Sequence, residues 1–177
     1  VTIYEAMPSP GGMLRYGIPE YRLPKDVLDM EIELIKKMGV EIITNSRLGS
    51  NISLDNLRRE NDAVFLAIGA WKSSSMRCKG EDAKGVLGGI DFLREVTLNH
   101  SVRLGKKVLV VGGGNTAMDA ARTAVRLGAE EVNVLYRRTR NEMPAEDIEI
   151  KEAEEEGVIF NFLVAPLEVI SDENGLK

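Results

Sequence analysis

At 177 residues, 44% of them hydrophobic, the chain is long enough for one good core or two modest ones and too apolar for disorder. Lys and Arg number 23 against 28 Asp and Glu, and the net charge of −5 excludes a general nucleic-acid binder and points to a small or proteinaceous partner. A single cysteine, Cys78, excludes internal disulfides, a CxxC redox pair, four-cysteine zinc sites and iron–sulfur ligation within the chain, so redox chemistry here needs an organic cofactor. Cys78 itself reads as a small, partly buried residue. No signal peptide precedes the first strand, and no apolar run approaches the roughly 18 residues of a membrane span, so a cytoplasmic setting without membrane contact is expected. Val1 opens in mid-strand and SDENGLK stops soon after a turn signal, so both ends are expected to be cuts.

The β-run VTIYEA (1–6) ends on Glu5, in the place where a dinucleotide-binding unit sets a carboxylate on a ribose hydroxyl. Residues 7–24 hold four prolines and three glycines, a content that predicts a long shaped loop without regular helix or strand. Leu28, Ile32, Ile35 and Met38 stand at helical spacing over 25–38, and Gly39 follows as the stop. A strand is expected over 40–45, a short helix capped by Ser53 over 53–61, and a nearly continuous apolar strand, buried on both faces, over 62–70. Residues 71–88 read as a linker.

A second unit follows, with a helix over 89–100, a strand over 106–113, a helix over 115–127 and a strand over 131–136. An acidic helix over 144–156, a strand over 158–164 and the start of a hairpin complete it. The alternation predicts an α/β fold of Rossmann-like parallel sheets, divided as 1–86 and 87–177.

The strongest chemical signal is VLVVGGGNTAMDAARTA. Gly112, Gly114 and Ala117 satisfy G-x-G-x-x-A directly after a strand and before a helix, the context that makes the pattern informative. Gly112 permits the tight turn, Gly114 lets the backbone approach a pyrophosphate, and Ala117, Ala121 and Ala124 let the helix lie close to the sheet. The helix N-terminus offers N–H groups to phosphate, with Asn115 and Thr116 as side-chain donors. The alternative is a tight turn without ligand, at an entropic cost that turning alone does not require of three glycines.

One strand later comes LYRRTR, with Arg137, Arg138 and Arg140 where an NAD-type acid would repel a 2′-phosphate, so NADPH is favoured over NADH. The alternative is a solvated cluster balancing the acids that follow. Those acids, eight between Glu142 and Glu156, read as a solvated helix face. His100, the sole histidine, is expected to cap a helix at the surface, and no metal-ligand spacing or Ser-His-Asp arrangement is found.

In this order and spacing, YEAMPSPGGMLRYGIPEYRLPK, DAVFLAIGA and VLVVGGGNTAMDAARTAVRLGAEEVNVLYRRTRNEMPA resemble the small (beta) subunit of NADPH-dependent glutamate synthase and related FAD/NAD(P)-binding oxidoreductases. The resemblance covers nearly the whole chain. It implies that Glu5 sits at the FAD ribose, Gly12 and Met13 in the loop along the flavin, and Leu48 at a further FAD contact. It implies that Gly69 and Ala70 close the crossing into an NADPH domain. Gly113, Gly114, Asn115 and Thr116 match the pyrophosphate loop, and Arg137 with Arg138 the 2′-phosphate clamp.

The first FAD glycine loop and the C-terminal return to the FAD domain, both part of the family pattern, are missing. The resemblance thus implies a fragment with an incomplete FAD-binding domain (1–86, with linker) and a nearly complete NAD(P)H-binding domain (87–177). The implied reaction of the intact enzyme is hydride transfer from NADPH to FAD. Electrons then pass to iron–sulfur centres of a partner, the glutamate synthase large subunit or another acceptor. The flavin carries that chemistry, so no catalytic residue is named. The alternatives are a nucleotide-binding module without catalysis and an NADH-linked relative with another acceptor. Open sheet edges also favour self-association into a homo-oligomer.

Overall fold

The computed structural model describes residues 1–99, 102–173 and 175–177, and for Asn99 the backbone alone. The expectation for His100 lies outside the described residues. By its internal contacts the chain divides into two units, Val1–Ala70 and Trp71–Lys177.

In the first unit, Thr2–Tyr4 (β1) pairs in parallel with Glu41–Ile43 (β2), in the register Thr2 to Glu41. Between them lie the short helix Gly12–Tyr16 (α1) and the helix Lys25–Lys37 (α2). Helix α1 corrects the expectation that residues 7–24 contain no regular element. The prolines bracket it without entering it, and Gly11 at φ 125° and Gly12 at φ 53° let the chain turn sharply into the helix. Leu28 and Ile32 on α2 are buried as their spacing predicts, while Ile35 and Met38 are exposed. Gly39, at φ 89°, ends the helix as a left-handed residue. Leu54–Glu60 (α3) starts at Ser53, whose hydroxyl accepts from Asn56 N at 3.2 Å.

The apolar segment 62–70 is not a strand. It runs without regular structure, and Phe65 is 91% exposed. Apolar character alone cannot make a buried strand, because a strand needs neighbours for its N–H and C=O groups. The only sheet of this unit among the described residues is the β1–β2 pair.

In the second unit, Gly89–Asn99 (α4) precedes Lys107–Val111 (β3), Asn115–Arg126 (α5), Glu131–Tyr136 (β4), Asp147–Glu155 (α6) and Ile159–Phe162 (β5). The strands form a parallel sheet in the order β3-β4-β5, the expected βαβαβ arrangement. Val132, Val134 and Tyr136 alternate inward along β4 and meet Met118, Ala121 and Ala124 of α5 and Ile150 and Ala153 of α6 in one core. The hairpin is present as Ser171–Asp172 (β6) against Gly175–Leu176 (β7). Residues expected as linker bond into this unit: Ser73 Oγ donates to Asp91 Oδ2 at 3.2 Å, and Val169 N donates to Lys79 O at 2.8 Å. Cys78 is half-buried. No helix among the described residues is long and apolar enough to cross a membrane.

Candidate functional site

The carboxyl ends of parallel strands are where open α/β sheets bind ligands. In the second unit, Gly112 to Thr116 occupy that end of β3, and Arg137 and Arg138 that of the adjacent β4. Val111 pairs with Leu135, and Gly112 N donates to Leu135 O at 3.1 Å, so the two segments start side by side.

The three glycines have separate reasons. Gly112 has φ 147°, a conformation that L side chains rarely adopt, and a Cβ there would touch Ala117 at 3.4 Å, the close helix–strand approach expected of this pair. At Gly113 a Cβ would lie 2.5 Å from the Tyr136 ring, so the ring excludes any side chain. At Gly114 it would meet only Pro144, at 3.9 Å. Packing therefore leaves space at Gly114, as a backbone that must approach a ligand requires. Among the described residues, the N–H groups of Gly114, Asn115 and Thr116 donate to no protein acceptor, and all three head α5. That arrangement suits an anion.

Asn115, expected as a donor, has its carbonyl oxygen engaged by Glu146 N at 3.0 Å, which leaves only its amide nitrogen to donate. Thr116 is exposed. Arg137 and Arg138 are exposed, and their guanidinium groups make no hydrogen bond or ion pair among the described residues. Arg140 differs. It forms a two-pronged ion pair with Glu154 of α6, and that hydrogen bond raises its pKa further above the ordinary arginine value.

The acidic helix is not a wholly solvated face. Arg122, 4% exposed on α5, is gripped by Glu149 at 2.8 Å, Glu152 at 2.7 Å and Glu156 at 2.8 Å, and Glu156 also binds Arg126. The bond from Arg126, then that from Arg122, holds the Glu156 carboxyl down to about 2, against the opposing effect of burial. Arg122 stands in an alanine-rich helix, away from its small-residue face, and its partners lie 27 to 34 residues further on, so no local signal in the sequence marks them.

In the first unit, Glu5 follows β1 and is tied at the carboxyl ends of both strands: its N–H donates to Ile43 O at 2.9 Å, and its carbonyl accepts from Ser46 N at 2.8 Å. Its Oε1 accepts from Met7 N at 2.8 Å, and among the described residues its Oε2 accepts nothing, which suits a ligand hydroxyl. Leu48 lies in the turn after β2, half-buried and bridged to Ile52. Gly12 and Met13 begin α1. The loop around them is pinned by Lys25, whose ammonium donates to the carbonyls of Leu14 (3.0 Å), Ile18 (2.7 Å) and Leu23 (3.0 Å). Tyr16 Oη bridges Ser9 N and Ser9 O, both at 3.1 Å. Composition did not single out Lys25 or Tyr16.

Comparison with known proteins places the chain in a family. The chain is 54% identical over 178 residues to the NADPH-Fe(3+) oxidoreductase subunit beta of Geobacter sulfurreducens, and 51% identical over 180 residues to the NADP(+)-dependent formate dehydrogenase subunit beta of Moorella thermoacetica. These matches cover 98% and 100% of the chain but 26% of each relative, so the chain spans about a quarter of their length. The glutamate synthase [NADPH] small chain of Escherichia coli is 39% identical over 185 residues, 98% of the chain and 39% of the relative, in line with the resemblance read from the motifs. Among solved structures, Mycobacterium tuberculosis FprA in complex with NADPH shares the fold at TM-score 0.83 and 19% identity, over 97% of this chain and 54% of FprA. The family model for pyridine nucleotide-disulphide oxidoreductases matches residues 4–177, which include the glycine loop, the arginine turn and the strand ends at Glu5, and the chain belongs to that family.

Proposed function

We propose that the chain carries the NADPH site and part of the FAD site of a cytoplasmic flavoprotein oxidoreductase of the glutamate synthase small-subunit type, which delivers electrons to an iron–sulfur or other acceptor subunit. The observation that carries this reading is the placement of Gly112 to Thr116 beside Arg137 and Arg138, at the carboxyl ends of neighbouring parallel strands. The space at Gly114 and the unpaired N–H groups at the head of α5 fit a pyrophosphate. Arg137 and Arg138 hold a 2′-phosphate, and Arg140, anchored on Glu154, flanks them. Residues 87–177 are then the NAD(P)H-binding domain. Residues 1–86 are a partial FAD domain with its linker, in which Glu5 accepts from a ribose hydroxyl and Gly12, Met13 and Leu48 line the flavin.

When bound, FAD supplies the redox chemistry by taking a hydride equivalent from NADPH, and this chain's residues bind and orient. The relatives' names, two beta subunits and a small chain, support a partner subunit as acceptor, and they differ in what the electrons reach. Titration with NADPH and NADH at one salt concentration tests the reading: tighter binding of NADPH is expected, and equal binding or none overturns it. A second reading, a nucleotide-binding module without flavin, is favoured by the bond from Met7 N to Glu5 Oε1, which occupies part of the ribose acceptor. Flavin absorbance of the purified protein decides between the two.

A further inference from the structure

We infer that Asn115 and Tyr136 are positioning residues that fasten the arginine-bearing turn to the phosphate loop, so that selectivity for NADPH depends on two side chains that need not touch the 2′-phosphate. The inference rests on the NADPH reading above. Residues 137–146 leave the carboxyl end of β4 carrying Arg137 and Arg138, and they return across the glycine loop. Tyr136 Oη donates to Glu142 O at 2.7 Å, and the Glu142 carboxylate accepts from Thr139 N at 3.1 Å. Ala145 N donates to Gly113 O at 3.0 Å, and Glu146 N donates to Asn115 Oδ1 at 3.0 Å. Pro144 stands opposite the space at Gly114, and Met143 and Ala145 are buried in the core. The turn is therefore closed on itself through Tyr136 and Thr139, and its far end is bonded through Ala145 and Glu146 to the segment that would hold the pyrophosphate.

The chemistry of the amide decides what Asn115 does. A backbone N–H is met only by the amide oxygen, so Glu146 fixes the orientation of the side chain and Asn115 acts first as a tie. The two roles differ in their consequences. The pyrophosphate is common to NADPH and NADH, so a lost pyrophosphate donor weakens both alike. The 2′-phosphate belongs to NADPH alone, so a loosened turn weakens NADPH selectively.

The experiment titrates the purified wild-type, Asn115→Ala, Asn115→Asp and Tyr136→Phe proteins with NADPH and with NADH, alongside thermal unfolding. Asn115→Ala and Tyr136→Phe are expected to lose about fivefold in NADPH affinity, the worth of one net hydrogen bond, and to lose less in NADH affinity, so that the NADPH-to-NADH ratio falls. Asn115→Asp keeps the acceptor oxygen and adds a charge beside the phosphates, so both nucleotides weaken while their affinity ratio stays near that of wild type. Equal losses of both nucleotides in Asn115→Ala would make it a pyrophosphate donor and overturn its positioning role. A wild-type ratio in Tyr136→Phe, which keeps the ring against Gly113, would do the same for Tyr136. A wild-type protein without NADPH preference is a separate result that removes the reading of the arginines, and this inference with it.

Discussion

The ring of Tyr136 lies 2.5 Å from where a Cβ on Gly113 would stand, whereas a Cβ on the next residue, Gly114, would meet only Pro144 at 3.9 Å. Adjacent glycines thus answer to different demands. Gly113→Ala should destabilise the fold by about 1–3 kcal/mol through overpacking, and a smaller residue at position 136 should recover part of the loss. Gly114→Ala should cost less than about 1 kcal/mol yet weaken NADPH and NADH alike, because its side chain enters the space where the proposed pyrophosphate would lie. Denaturant unfolding and nucleotide titration of both variants check the contrast.

The arginines divide in a similar way. Arg137→Glu should weaken NADPH at least about tenfold more than NADH, since repulsion replaces a charge-assisted phosphate contact. Arg140→Ala should change the NADPH-to-NADH ratio less than about threefold, because its guanidinium is already spent on Glu154. Equal effects of Arg137→Glu on the two nucleotides would remove Arg137 from the clamp.

Arg122 joins α5 to α6 through three carboxylates, and its loss strands Glu149, which is buried. Arg122→Ala should cost about 3–5 kcal/mol in urea unfolding, the range for breaking a buried pair from one side. Glu156 adds a pH dependence. Its folded pKa of about 2 lies below the ordinary carboxylate value of 4.5, so the folded state binds fewer protons than the unfolded one. The stability it contributes is fully present above about pH 5 and is lost as pH falls toward 2. Glu156→Gln should therefore flatten the loss of stability over that interval. An unchanged slope would show that Arg122 and Arg126 do not stabilise the ionised form.

Lys25 closes the loop that holds Gly12 and Met13 with one ammonium on three carbonyls. Lys25→Met leaves those carbonyls without their donor and should cost about 2 kcal/mol, with reduced flavin retention. NADPH affinity, which the proposed reading assigns to residues 112–140, should stay within about twofold and so exclude general unfolding. Flavin content and nucleotide titration of one preparation give both readings.

The elements and the glycine loop were legible because their signals are local. The 3.6-residue spacing of α2, Gly39 beyond it, the Ser53 cap and the small face of α5 each depend on residues within a few positions of one another. Thr139 and Glu142, at the T-x-x-E spacing of a capping signal, were equally legible, yet they attract notice only once the turn they hold is seen closing on Gly113. The sequence by itself therefore determined the parallel α/β unit, the position of the glycine loop and the arginines one strand away. Tertiary structure alone decided which polar groups are spent and which apolar runs are covered. Asn115 meets a partner 31 residues on and Arg122 one 34 residues on, and segment 62–70 gains no strand neighbour. Such pairings depend on how helices and strands pack. Periodicity records which face of an element is apolar, and carries no information about what lies opposite that face.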